Sequence, residues 1–472
     1  MERVKHPVKR RTAGFVLVAL ALGGCATFTE DRGFATVEET VRARIGQDVK
    51  WPKSEGESST IDARIAELLS KPLAVDDAIQ VALLNNQGLQ ASFHALGILD
   101  ADRVQAGRLP NPSFTFARLR RGEELEIDRG VHFNIARLIT MPLAAELESR
   151  RFGQAQREAA IDALRLAAQT RRAYFIALSA QESVRYMEQV KLAADAGADL
   201  AQRMAQSGNW SKLAQAREQG FFADAALNLA RAEQARTAAR EKLTRLMGLW
   251  GAQARFTIPE RLPDLPAAPQ DRPDIEQAAM AQRLDLQSAR RGVEALAKNL
   301  GLARVTGFVN VFELGVVRNT SNLQPTQLGY EITLELPIFD WGEARVAKAE
   351  ALYRQALART AEMAVNARSE VRESYLGYRS SYDIAKHYRD EIVPIRKLIA
   401  DETQLRYNGM LIGVFELLAD ARAQVASVNG YMEALRDFWI AEGDLRMAMI
   451  GQPMMDSAPR AAAMVVEPGA SH

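Results

Sequence analysis

Tyr330-Glu331-Ile332-Thr333-Leu334-Glu335-Leu336-Pro337-Ile338-Phe339-Asp340-Trp341-Gly342 begins in one pattern and ends at the door of another. Tyr330, Ile332, Leu334 and Leu336 alternate with Glu331, Thr333 and Glu335, the period of a strand whose two faces meet unlike surroundings. From Glu343 to about Tyr407 the chain is rich in Ala, Arg, Glu, Gln and Leu, all strong helix formers. At 1.5 Å per residue such a helix is on the order of 100 Å long, too long to wrap inside a compact domain. The reading therefore begins with an amphipathic strand that feeds a very long helix.

Upstream, Thr306 to Val317 reads as the preceding strand and Arg318 to Thr326 as a polar turn. The same sequence of patterns occurs earlier in the chain. Ser113 to Ala117 puts Phe114 and Phe116 on one face, and Val131, Phe133 and Ile135 alternate with His132, Asn134 and Ala136. That makes four strands, two per half. Before them, Ile79, Ala82, Leu89, Phe93 and Leu96 keep one helical face from about Asp76 to Gln105, and Leu109-Pro110-Asn111-Pro112 stops the helix. After the strands, the long helices break at Ser207-Gly208-Asn209 and at Asn408-Gly409, and return helices run to Gly248 and Gly451. Two antiparallel helical hairpins follow.

The halves are a tandem repeat displaced by roughly 195 to 203 residues. Leu89-Gln90 answers Leu286-Gln287, and Met141-Pro142-Leu143 answers Leu336-Pro337-Ile338. Arg172-Ala173-Tyr174 answers Glu373-Ser374-Tyr375, and Leu246-Met247-Gly248 answers Met449-Ile450-Gly451. Their common order carries more weight than any one match. Between the halves, Pro259 to Pro273 holds five prolines and few large apolar residues, and reads as an extended linker. The expected organisation is a signal peptide over 1–24, a lipidated N-terminal segment over 25–72, a first repeat over 73–258, the linker over 259–273, a second repeat over 274–451 and a tail over 452–472.

The amino terminus is an export signal. Arg3, Lys5, Lys9, Arg10 and Arg11 precede an apolar stretch from Ala13 to Leu22, too short to span a bilayer. It ends in Leu22-Gly23-Gly24-Cys25, which resembles a bacterial lipobox, and Cys25 is the one cysteine of the chain. Lipidation of Cys25 is the expectation, with several acyl chains giving a stable anchor. Ala26 follows, in place of the aspartate that would favour inner-membrane retention, so the outer membrane is the expected address.

Composition excludes other classes. Hydrophobic residues at 47% and charged ones at 25% fit neither a disordered chain nor a polytopic helical membrane protein. Sixty Lys and Arg against 59 Asp and Glu leave a net charge of +1, no footprint for nucleic acid. No cofactor is implied. His94, His132 and His387 stand far apart without ligand spacing, and no nucleophile and base fall together, so no enzyme is read here.

Four amphipathic strands leave open edges that lipid does not tolerate, since bacterial barrels begin at about eight strands. Two chains would supply eight strands and three would supply twelve, so an oligomer is implied without its order. Glutamates alternating with apolar residues suggest lipid on one face and water on the other. A soluble, half-exposed sheet is the competing reading.

Several stretches resemble the TolC-like outer membrane efflux proteins. Leu73, Asp76-Asp77-Ala78-Ile79 and Ala82-Leu83-Leu84-Asn85-Asn86 are similar to the family's opening helix, and Leu109-Pro110-Asn111-Pro112-Ser113 to its entry into the first strand. Leu336-Pro337-Ile338-Phe339-Asp340-Trp341-Gly342 resembles its passage from barrel to helix and is the most specific of these signals. Glu391-Ile392-Val393-Pro394, Leu405-Arg406-Tyr407-Asn408-Gly409 and Phe415-Glu416-Leu417-Leu418 resemble its second helical hairpin. The likeness covers roughly residues 73 to 451.

The resemblance implies an α+β membrane protein: an oligomeric β-barrel of four strands per chain, continued by a long α-helical coiled-coil tunnel through the periplasm. It implies a homotrimer in outer-membrane lipid that meets a periplasmic adaptor protein and an inner-membrane pump, and conducts their substrate passively outward. Ser207, Gly208, Asn209, Arg406, Tyr407, Asn408 and Gly409 would form the tips and touch the adaptor, with glycine allowing the reversal. Glu416 matches the first acidic position of the family's gate. The second falls on Ala419, with Asp420 one residue on, about 100° further round the helix. Pro394, which has no counterpart near Ala193, would kink its helix at the tunnel end. A periplasmic coiled-coil scaffold lipoprotein is the alternative, and from periodicity only the strands separate the two.

Overall fold

The computed structural model describes residues 27–306, 311–335, 339 and 341–451. Cys25 and the expected signal peptide over 1–24, Leu336-Pro337-Ile338, Asp340 and the expected tail over 452–472 lie outside the described residues. Helices α1 (Phe34–Ile45), α2 (Glu55–Leu69), α3 (Val75–Asn85) and α4 (Gln87–Ala106) lead to strands β1 (Ser113–Arg121) and β2 (Glu124–Asn134). The hairpin α5 (Ile135–Gln206) and α6 (Lys212–Leu246) completes the first half. Helices α7 (Ile275–Gln282) and α8 (Leu284–Thr306), strands β3 (Phe312–Ser321) and β4 (Gln327–Leu334), and helices α9 (Glu343–His387), α10 (Val393–Asn408) and α11 (Val414–Ile450) repeat the order.

The four strands form one antiparallel sheet in the order β1-β2-β3-β4, so the hairpin of one half pairs with that of the other. Strand bounds differ from expectation where charge hid the ladder. Arg318 to Ser321 belong to β3 rather than to a turn, because backbone pairing with Glu126 to Arg129 continues whatever the side chains are. Thr306 ends α8 instead of opening a strand, and Ile135 opens α5 instead of closing β2. Likewise β1 and β2 run through Arg118–Arg121 and Glu124–Asp128, joined at Gly122, whose φ of 61° suits a tight turn.

The expected helix from Glu343 to Tyr407 is not uniform. Tyr388–Ile392 forms a π turn between α9 and α10, directly before Pro394. A π turn absorbs a residue in the ladder where proline supplies no N–H. Similarly, the helical face from Asp76 to Gln105 is interrupted at Asn86, which leaves helical backbone geometry with ψ at 114°.

The described residues form two compact units, one drawn from 27–37, 92–159 and 286–363, the other from 38–91, 160–285 and 364–451. Each gathers corresponding stretches of both repeats. The first unit holds the sheet; Phe34 packs on Phe93 at 4.9 Å, and Gln156 donates to the Gly33 carbonyl at 2.8 Å. In the second unit Phe175 stacks on Trp439 at 5.5 Å, and Phe438 lies between Trp439, Tyr378 and Tyr382, joining α5, α9 and α11.

Residues 259–273 hold no helix or strand, and their backbone finds side-chain partners instead. Trp439 donates to the Pro263 carbonyl at 3.0 Å, Tyr382 to that of Ala267 at 2.8 Å, and the Tyr378 hydroxyl accepts from Gln270 N–H at 2.9 Å. In the first half, Tyr174 donates to the Leu73 carbonyl at 2.9 Å; burial, with Asp77 and Asp76 nearby, pushes its pKa up to about 12 and keeps it a donor.

The ends of the return helices explain the Asn85-Asn86 pair. Asn85 Nδ2 donates to the carbonyls of Met247 (3.1 Å) and Gly248 (2.8 Å), and Asn86 Nδ2 to that of Leu246 (2.9 Å), closing the free carbonyls of α6. Gly248 has φ of 68°, and a Cβ there would lie 2.8 Å from the Asn85 carbonyl oxygen. Gly248→Ala combines left-handed strain of about 1–2 kcal/mol with that backbone collision. Chemical unfolding of the variant is expected to show a loss of at least about 2 kcal/mol; a loss under half of that would mean the junction relaxes freely.

Candidate functional site: an amphipathic sheet and two helical tips

Directly paired residues share a face, so register assigns each side chain. Phe114 and Phe116 of β1, Val131 and Phe133 of β2, Leu314 and Val316 of β3, and Tyr330, Ile332 and Leu334 of β4 share one face, and all are exposed. Thr115, Asp128, His132, Glu313, Glu331 and Thr333 share the other. A row crosses this polar face: His132 pairs with Gly315, Gly315 with Glu331, and His132 Nε2 lies 3.0 Å from Glu331 Oε2. The imidazole crosses Gly315 because no Cβ stands there; Gly315 and Gly130 are both buried under it. Strands β1 and β4 are the sheet's edges, and each is exposed along its whole length.

At the far ends of the long helices both hairpins reverse through one motif. In the first, Asn209 N–H donates to Met204 O (2.9 Å) and Gly208 N–H to Ala205 O (3.2 Å). In the second, Leu411 N–H donates to Arg406 O (2.9 Å) and Met410 N–H to Tyr407 O (2.9 Å). This is the Schellman closure, which places one residue in left-handed geometry. Gly208 takes that position with φ of 78°, as expected. In the second hairpin Gly409 does not: its φ is −79°, and Met410 carries the positive φ of 56°. The expected role of Gly409 is thus corrected by one residue. Met410 is 202 residues beyond Gly208, within the offset of the repeat, and comparing the two turns would have found it.

Met410 is 93% and Leu411 77% exposed, so the second tip presents an apolar pair to water. Ser207, Asn209, Arg406 and Asn408 are exposed as well, while Tyr407 is half-buried. Met410→Gly is expected to raise stability by about 1 kcal/mol through relief of left-handed strain. A shift of the unfolding midpoint to lower denaturant would show that Met410 packs in a way this geometry does not include.

Glu416 lies in the first turn of α11, exposed, with no side-chain partner among the described residues, where a carboxylate suits the helix dipole. Asp420 is engaged, since Thr403 Oγ1 donates to its Oδ2 at 2.7 Å, tying α10 to α11. Further along, Arg422 Nη2 donates to Glu218 Oε1 at 3.0 Å and lies 4.3 Å from the Phe221 ring, joining the second hairpin to the first. Glu218 is buried. Neither residue stood out in the sequence, because a charge within a polar helix pattern looks like a solvated face. No group of His, Cys, Asp and Glu with the arrangement of a metal site occurs among the described residues.

No protein-family model matches the sequence, and no curated protein matches it. Solved structures do. A membrane protein from Pseudomonas aeruginosa superposes with a TM-score of 0.69 at 19% identity, over 79% of this chain and 92% of that one. The outer membrane protein VceC of Vibrio cholerae gives a TM-score of 0.66 at 15% identity, over 80% and 96%. The chain has the fold of the TolC-like outer-membrane channels. The Neisseria gonorrhoeae outer membrane channel MtrE, in its open state, shares this channel fold with a TM-score of 0.66 at 16% identity, over 80% of this chain and 89% of that one. The channel fold accounts for a sheet with an exposed apolar face beside helices none of which, among the described residues, is long and apolar enough to cross a membrane.

Proposed function

We propose that this protein is the outer-membrane exit channel of a tripartite efflux system, a passive duct and not an enzyme. The sheet carries the reading. One face is apolar and exposed, the other polar, and two edges stand unpaired. Three copies of four strands close a barrel of twelve, with the apolar face toward lipid and His132, Glu331 and Thr333 toward water. The homotrimer is anchored by acyl chains on Cys25 and extends its helical hairpins into the periplasm.

The tips meet a periplasmic adaptor through Ser207, Gly208, Asn209 and Arg406, Tyr407, Asn408, Gly409, with Met410 and Leu411 adding apolar contact. The adaptor connects the duct to an inner-membrane pump. Three Glu416 carboxylates form a charged constriction near the tips. The exposure of Glu416, without a side-chain partner among the described residues, supports this role.

Full-length protein extracted from outer membranes in mild detergent should have the mass of a trimer and give discrete single-channel conductance in planar bilayers. A delipidated, water-soluble monomer without conductance would overturn the channel and leave a coiled-coil scaffold lipoprotein.

A further inference from the structure

The apolar face of the sheet ends in arginines. Arg118 of β1, Arg129 of β2 and Arg318 of β3 lie on the same face as Phe116, Val316 and Leu328, at the end toward the turns. Arg129 and Arg318 are direct cross-strand partners, and Arg118 pairs with Ile127, two residues from Arg129. Like charges placed opposite each other destabilise a sheet unless an anion lies between them. None is supplied among the described residues. The carboxylates of these strands, Glu124, Glu126, Asp128, Glu313 and Glu331, all fall on the opposite face by alternation, and none of the three arginines is in an ion pair among the described residues.

We infer that Arg118, Arg129 and Arg318 form a binding site for the phosphorylated headgroup of a membrane lipid, at the level where the apolar band meets the polar surface. The inference rests on the channel reading, which puts this face in lipid. An exposed apolar face bordered by guanidinium groups that have no ion-pair partner among the described residues matches a ligand with chains on one side and a phosphate on the other. Guanidinium binds phosphate through paired hydrogen bonds. A free anion would use the guanidinium groups alone and gain nothing from the aromatic and aliphatic neighbours.

The test uses full-length protein in phosphatidylcholine nanodiscs containing a phosphorylated glycolipid, or the same glycolipid with its phosphates removed, and counts retained lipid by native mass spectrometry. Retention of the phosphorylated form is expected to exceed that of the dephosphorylated form by about tenfold or more. The triple variant Arg118→Gln, Arg129→Gln, Arg318→Gln should lose the preference, the corresponding lysine variant should keep part of it, and single-channel conductance should persist in both. Equal retention of the two lipids by the unmodified protein overturns the site, and so does displacement by inorganic phosphate at matched concentration. Equal retention with conductance intact defeats this inference alone; absence of conductance and of any lipid-embedded protein defeats the channel reading and the inference with it.

Discussion

Arg283→Ala is expected to lower stability by about 3–5 kcal/mol, the cost of leaving buried charges without their partner. Arg283 is 2% exposed. It donates to both Asp285 oxygens, at 3.0 and 2.6 Å, pairs with Glu370 at 2.9 Å, and reaches the Ala448 carbonyl at 3.1 Å near the end of α11. Burial works against its charge, but Asp285 and Glu370 outweigh that and hold its pKa above the ordinary value. Alanine would strand two carboxylates and open the helix end. Equilibrium unfolding in detergent measures the loss; replacing Arg283, Asp285 and Glu370 together by apolar residues should cost less than the single change. A single-variant loss below about 1 kcal/mol would mean that water takes over the role of the guanidinium.

Ile332→Lys should prevent assembly, whereas Thr333→Lys, one residue along, should not. On the lipid side of a barrel strand lysine costs about 2–4 kcal/mol at mid-depth, or roughly 6–12 kcal/mol for three copies. Ile332 pairs with Leu314 in the apolar band, and Thr333 with Glu313 on the polar face, where lysine gains a neighbouring carboxylate. Trimer recovered from outer membranes, compared between the two variants at equal expression, reads the difference. Equal recovery would place both faces in water and remove the basis for a barrel.

Much of this fold was open to reading because its two periods are long and clean. Alternation at Tyr330 to Leu334 located β4 and its faces, and the run of helix formers after Gly342 located α9. The strand ends were misplaced where side chains stopped alternating at Arg318 to Ser321, since a ladder depends on backbone groups that carry no side-chain signature. At the tips, the turns were found but the left-handed residue was assigned to Gly409. Glycine signals tolerance of that geometry; Met410 adopts it because closure of α10 fixes the fifth position of the motif in it regardless of residue type.

The amino-acid order by itself determined the strand and helix periodicities and the places where the long helices break, because each depends on neighbours a few residues apart. Tertiary structure decided what distance along the chain conceals: that β2 pairs with β3 across the repeat boundary, that Asn85 and Arg283 close the ends of the two return helices, and that Arg422 finds Glu218. In the three side-chain cases a charge or amide that looks surface-like in sequence reaches a partner more than 150 residues away, and burial, which only folding creates, is what gives the pairing its energetic weight.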